Sequence, residues 1–213
     1  MADSWNSPDK FNREASQWDE NPQRKAVALA VAHAIIAETK PDKTMLALEF
    51  GCGTGLVTME MAPLVKRLLA LDTSMGMLSI LKEKIERSGT ANIETSCADL
   101  SLSSEAIVTD NAIDLIYGSM TLHHIDDTAR FIIQTTKLLS SGGIIAIADL
   151  DLEDGLFHDN PLEKVHHGFD REELAANMNA AGLKVISFKT IYSFEKTNRS
   201  YPVFLVTAVK ETS

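Results

Sequence analysis

At 213 residues the chain has length for one full hydrophobic core and too little for two comfortable ones, so a single domain over 1–213 is expected. Its 20 lysines and arginines stand against 30 aspartates and glutamates, and the resulting net charge of −10 opposes phosphate backbones, which speaks against a nucleic-acid partner. Hydrophobic residues at 45% and charged residues at 23% give a soluble globular composition; no apolar run approaches the roughly 20 residues of a membrane span, so no membrane partner is expected.

The first residues lack the basic and then apolar organisation of a secretory signal. With only two cysteines, Cys52 and Cys97, a cytoplasmic setting is expected. Residues 9–39 read as two helices, the first holding Trp18 and the second running from about Gln23 to Thr39 and ending near Pro41. Short apolar runs at 44–50, 67–72, 112–117 and 144–150 read as buried parallel strands, with a weaker one from Ile93 to Cys97. Helical spacing fills 55–63, 75–88 and 127–139; Asp126 or Asp127 is placed to cap the last, and Ser140-Ser141-Gly142-Gly143 to stop it. After residue 170 come a helix at 171–181 closed by Gly182, a strand at 183–192, an irregular stretch, and a strand at 202–209. The stretch between these last strands is too short for a helical crossover, so the pair is expected to be antiparallel. The alternation of strands and helices predicts an α/β domain whose largely parallel sheet is covered by helices on both faces.

The most specific motif is Leu48-Glu49-Phe50-Gly51-Cys52-Gly53-Thr54-Gly55, where a buried strand gives way to a helix. Glycines at such a junction permit a tight turn and let backbone N–H groups approach a ligand near a helix N-terminus. Open α/β sheets bind ligands outside the carboxyl ends of their strands, which is where this loop falls. A phosphate-binding loop would continue as Gly-Lys-Ser/Thr, but Gly55 is followed by Leu56 and Val57. The dinucleotide fingerprint needs glycine where Leu56 stands, which puts nicotinamide and flavin in second place. Asp72 ends the next strand, where a carboxylate suits the two hydroxyls of a ribose, and Asp99 follows the third strand within reach of an adenine edge.

Together these residues resemble the class I S-adenosylmethionine-dependent methyltransferases, from about residue 44 onward. Glu49 to Gly55 is similar to that family's first motif, Asp72 to its second, and Ala98-Asp99-Leu100 to its adenine-contacting third. Leu122-His123-His124-Ile125 and Leu139-Ser140-Ser141-Gly142-Gly143 resemble the branch that contains ubiquinone and menaquinone biosynthesis methyltransferases. His167-Gly168-Phe169-Asp170, with Glu172, Leu174, Ala181 and Gly182, is similar to the substrate-side helix entry of that branch. The resemblance implies a Rossmann-like three-layer sandwich: a seven-stranded, mostly parallel sheet with an antiparallel C-terminal strand pair. It also implies a helical lid over 1–40, a cofactor-binding half over 44–150 and a substrate-side half over 151–213. The implied cofactor is S-adenosylmethionine. Glu49 would organise the loop or approach the methionine amino group, Gly51 and Gly53 would face the methionine part, and Cys52 would pack between them. Asp72 would hold the ribose hydroxyls, Thr73 and Met75 would flank adenine, and Asp99 with the Leu100 backbone would hold the adenine amino group. Tyr117, Gly118 and Ser119 would pass beside the sulfonium.

Methyl transfer from a sulfonium is an in-line displacement that asks the protein for alignment and exclusion of water; a base is needed only where the acceptor must lose a proton. His123, His124, His166 and His167 are the candidate bases, because imidazole titrates near neutrality; the competing reading has His123 packing under the cofactor. Asp149, Asp151, Glu153, Asp154, His158 and Asp159 form an acid-and-histidine run that reads as a solvated loop, and no metal is expected. The family strand order places Cys52 and Cys97 too far apart for a disulfide. Methylases of DNA bases typically carry Asn/Asp-Pro-Pro-Tyr/Phe where this chain has Tyr117-Gly118-Ser119-Met120, which favours a small-molecule acceptor. The expected substrate wall is 152–169, with Leu156, Phe157, His158, His166, His167 and Phe169, joined by Tyr192 and Phe194. A homodimer is the assembly left open, and a non-catalytic S-adenosylmethionine-binding regulatory protein is the competing function.

Overall fold

The computed structural model describes residues 8–102, 112–160 and 163–211, together with Trp5 and Asp110. Residues 1–4, 6, 7, 161, 162, 212 and 213, which belong to the expected lid, substrate wall and domain limits, lie outside the described residues. Seven strands form one sheet in the order β3-β2-β1-β4-β5-β7-β6. They are β1 (Leu46–Phe50), β2 (Arg67–Asp72), β3 (Ile93–Cys97), β4 (Ile113–Ser119), β5 (Leu139–Leu150), β6 (Leu183–Lys196) and β7 (Arg199–Lys210). The first five run parallel, and β7 lies antiparallel between β5 and β6.

Six α-helices accompany them among the described residues: α1 (Pro8–Glu14), α2 (Pro22–Thr39), α3 (Thr58–Met61), α4 (Met75–Ser88), α5 (Thr128–Leu138) and α6 (Arg171–Ala180). The strands sort their side chains by the period of two. Leu48, Phe50, Ile116, Ile145 and Ile147 meet Phe131 and Ile132 of α5 and Leu174 and Met178 of α6. Ala47, Leu115, Tyr117, Ala146 and Ala148 meet Val31 and Ile35 of α2 and Met61 of α3 on the opposite face. Leu78 and Leu81 of α4 pack over Ala70 and Cys52 beside that second set. The outcome is three layers, helix, sheet and helix.

Helix ends follow their capping chemistry. The Asn21 side chain accepts from the Gln23 and Arg24 N–H groups, Ser74 from Met77, Asp127 from Arg130, and Asp170 from Glu172 and Glu173. Of the two acids proposed to cap α5, the structure uses Asp127.

Three expectations change. The stretch 55–63 is not one helix: glycines at positive φ keep the chain in a loop through Val57, α3 has only four residues, and a 3-10 turn with Pro63 near its start ends it. Residues 140–143 are not a helix stop in a loop, because Leu139 already pairs with Ile113 and the strand passes through Gly142 at φ 76° with a register shift. The irregular stretch after residue 192 is strand on both sides of a two-residue turn, Thr197-Asn198, with φ 53° and 60°. Trp18 lies in a 3-10 segment, Ala15–Glu20, between α1 and α2. Among the described residues no helix is long and apolar enough to cross a membrane.

Candidate functional site

The carboxyl ends of β1, β2 and β4 converge on the loop after Phe50. Cys52 donates its N–H to the Leu71 carbonyl at 2.9 Å, tying the loop to β2. Gly51 stands at φ 63°, and a Cβ there would sit 2.2 Å from the Thr121 hydroxyl, so both conformation and space require glycine. Asp72 closes the loop from the next strand: its Oδ2 accepts the Gly53 N–H at 2.8 Å and its Oδ1 the Ser74 N–H at 2.8 Å. Burial holds this carboxyl above the usual aspartate range, against the pull of those two N–H groups. Each oxygen keeps acceptor capacity for a ligand diol.

Glu49 lies beneath the loop, buried, and accepts from the Thr58 hydroxyl at 2.6 Å and the Tyr117 hydroxyl at 3.1 Å. Burial pushes it up to about 8, outweighing both hydrogen bonds. Burial likewise raises the Cys52 thiol and the Tyr117 phenol well above their ordinary values, so neither is an acid or nucleophile near neutrality. Cys52 and Cys97 are both free thiols, the first buried and the second exposed.

A cavity of about 700 Å³ opens over this floor. Glu49, Gly51, Cys52, Gly53, Asp72, Thr73, Asp99, Leu100 and Ser119 line it. Tyr117, Gly118 and Met75 do not: Tyr117 is fully buried behind Glu49, Gly118 presses against the Phe50 ring, and Met75 is 58% exposed on α4. Met120, a lining residue, is held at φ 52° and donates its N–H to the Ala148 carbonyl at 2.8 Å.

The cavity continues to histidines. His123 is buried on a short turn after β4, and its Nδ1 lies 2.7 Å from Asp149 Oδ1 near the end of β5. Asp149 also accepts the His123 and Leu150 backbone N–H groups, at 3.1 and 2.8 Å. Acting as an acceptor throughout, it holds a proton on Nδ1. His124 and His158 gather around it, with ring centroids 4.2 and 5.1 Å away. Burial drives His124 well below its ordinary value and His158 down to about 3. His166 and His167 stay outside the lining: His166 approaches the Ile125 carbonyl at 2.9 Å, and His167, more than half exposed, sits 3.3 Å from Glu153. Of the expected substrate wall, Phe157, His158 and Phe194 reach the cavity; Leu156, Phe169 and Tyr192 do not.

The acidic run after β5 is dispersed among partners. Asp151 pairs with Arg171, Glu153 accepts three successive N–H groups of the turn at 155–157, Asp154 pairs with Arg199, and Asp159 with Lys196.

Residues of the N-terminal segment line the cavity too. Phe11, Trp18 and Arg24 are among them, with the Arg24 guanidinium 3.6 Å over the Trp18 ring. Asn12 accepts from the Ser74 hydroxyl and the Gly76 N–H, and Asp19 accepts from the Thr54 hydroxyl while pairing with Lys84. These partners lie far apart in sequence, and only the outline of an N-terminal lid is readable from the chain.

Glycine loop, strand-end carboxylates and strand order together place the cavity where open α/β sheets bind their ligands. Comparison with known proteins agrees: residues 48–147 match the family model described as a methyltransferase domain. The chain is similar to curated methyltransferases along more than this stretch. It is 32% identical over 138 residues to an uncharacterized methyltransferase of Schizosaccharomyces pombe, covering 58% of this chain and 48% of that one. It is 23% identical over 179 residues to the malonyl-[acyl-carrier protein] O-methyltransferase of Bacillus cytotoxicus, covering 80% of this chain and 56% of that one. The chain thus spans about half the length of these curated relatives. A solved S-adenosylmethionine-dependent methyltransferase from Aquifex aeolicus shares the fold, with a TM-score of 0.69, 19% identity, and coverage of 96% of this chain and 98% of that one.

Proposed function

We propose that this chain is a methyltransferase that uses S-adenosylmethionine to methylate a small-molecule acceptor, within one domain over 1–213 in which residues 1–40 form the lid. The observation that carries this reading is one continuous cavity running from the Gly51–Thr54 loop, Asp72 and Asp99 to His123, His124 and His158. A protein that only sensed the nucleoside would need no room beyond the cofactor half. The roof of Phe11 and Trp18 and the net charge of −10 support a small acceptor over a polymer of phosphates.

When bound, S-adenosylmethionine supplies an already activated methyl group, so the protein's share is binding, orientation and a proton. Asp72 holds the ribose diol while its bond to Gly53 keeps the loop in shape. Glu49 offers a carboxyl to the methionine ammonium, and Asp99 with Leu100 walls the adenine. Phe11 and Trp18 exclude water from the transfer path. His123, its Nδ1–H committed to Asp149, would take a proton from the acceptor on Nε2, and Asp149 would stabilise the resulting imidazolium.

Titration calorimetry on Asp72→Ala tests the cofactor assignment. Loss of two charge-assisted hydrogen bonds to the diol is expected to weaken S-adenosylmethionine binding by about 100-fold or more. Undiminished affinity in a variant that keeps its fold overturns the reading.

A further inference from the structure

We propose that His166 is a positioning residue for His123: standing outside the cavity, it braces the turn that carries His123 and so keeps that ring seated on Asp149. The proposal rests on the reading of His123 as the proton acceptor and deepens it. It also gives a role to a histidine that the cavity lining leaves out.

The turn is short and needs support. Leu122–His124 is a single 3-10 turn after β4 with no side-chain cap at its start. Its own backbone bonds run from the His124 N–H to the Thr121 carbonyl and from the Ile125 N–H to the Leu122 carbonyl, both at 3.0 Å. Neither uses the carbonyls of His123, Ile125 or Asp126, and His166 meets all three. Its backbone N–H donates to the His123 carbonyl at 2.8 Å, and its ring Nε2 lies 2.9 Å from the Ile125 carbonyl and 3.1 Å from that of Asp126. Carbonyl oxygens only accept, so Nε2 carries the proton and shares it between the two. Ring contacts with Trp5 at 4.8 Å and Phe169 at 5.5 Å keep the imidazole in place.

What the brace sets is a separation. The residues after His166 are tied to the end of β5: Phe169 donates its N–H to the Leu150 carbonyl at 2.9 Å and accepts from the Leu152 N–H at 3.0 Å, while His167 accepts from the Glu153 N–H at 2.9 Å. Gly168 permits this approach, for at φ 72° a Cβ there would lie 2.0 Å from the Asp151 carbonyl. Asp149 precedes Leu150 in the same strand. One stretch, 166–169, therefore grips both the strand that supplies the carboxylate and the turn that supplies the imidazole. Asp149 holds His123 by its N–H at 3.1 Å and its Nδ1 at 2.7 Å, and His166 holds it by its carbonyl. A drift of the turn by about 1 Å would carry the contact at Nδ1 out of hydrogen-bond range.

Proton–nitrogen spectra of the imidazoles, recorded on the full chain with S-adenosylhomocysteine bound, test the brace. The wild type should show His166 protonated at Nε2 and a slowly exchanging His123 Nδ1 proton, the latter assigned by its loss in His123→Phe. His166→Phe keeps a ring and the backbone bond but has no donor, and the His123 proton is expected to exchange with water about tenfold faster. His166→Gln, whose amide N–H can reach the same carbonyls, should recover most of the protection, with S-adenosylhomocysteine affinity in both variants within about twofold of the wild type. A bare Nε2 on His166 in the wild type overturns the inference even if no variant folds. Equal acceleration in the Phe and Gln variants also overturns it and assigns His166 to packing. Absence of the His123 Nδ1 proton in the wild type overturns the reading of His123 as a base, whereas its presence with unchanged exchange in His166→Phe overturns this inference alone.

Discussion

His123 and His124 are neighbours in sequence, and their chemistry alone does not separate them; what does is Asp149, 2.7 Å from His123 and supplied by a different strand. A buried imidazole with its Nδ1 proton held has one nitrogen free for a substrate, whereas His124 is packed edge-on to Phe11. Replacing Asp149 by Asn preserves size but puts an amide where an acceptor is needed, and the ring loses both its tautomer and the charge that steadies the imidazolium. Asp149→Asn is expected to lower kcat about 100-fold or more on an acceptor that must lose a proton, with S-adenosylmethionine affinity within about twofold. Single-turnover rates paired with calorimetry read this out. An unchanged kcat removes His123 from the proton path and returns it to a packing role.

Elements differ in how far they announce themselves. Helix α4 was readable to the residue because Ser74 caps it, Gly89 closes it in the left-handed region and its apolar residues keep helical spacing. The β6–β7 hairpin was not, because its turn is Thr197-Asn198 rather than a glycine pair and its strand ends are charged. The N-terminal segment was readable as helix, and the resemblance implies a lid there, but its anchors, Asn12 to α4 and Asp19 to Thr54, were not, since they join residues tens of positions apart. Those anchors make a prediction of their own. With both removed, in Asn12→Ala/Asp19→Ala, α1 keeps its covalent place but loses its grip on the floor, so cofactor should leave faster while the core is untouched. The dissociation rate of S-adenosylmethionine, followed by Trp18 fluorescence in stopped flow, is expected to rise about tenfold, with the melting temperature little changed. A variant that releases cofactor at the wild-type rate shows that the segment is no lid.

Over the whole molecule, what could be read were residues at strand ends, because an open α/β sheet puts every carboxyl end at one edge and so turns linear motifs into a site. What could not be read were the pairs closing that site from behind, such as Glu49 with Tyr117 and Thr58, since burial and partner arise only when β1, β4 and α3 meet. Glu49 carries a consequence for the entire fold. Its folded value of about 8 lies above the ordinary 4.5, so between those two values the folded chain keeps a proton that the unfolded chain has released. Stability therefore falls as pH rises through that window, and Glu49 adds no slope below or above it. Glu49→Gln is neutral at every pH and lacks this slope. Urea unfolding at pH 5, 6.5 and 8 should accordingly show the variant gaining on the wild type as pH rises; parallel curves would mean that Glu49 is already ionised in the fold. The same proton connects stability to function: a methionine ammonium beside the carboxyl favours its ionised form, so cofactor binding at pH 7 should release a proton. Calorimetry in two buffers of different ionisation enthalpy should give unequal heats for the wild type and equal heats for Glu49→Gln.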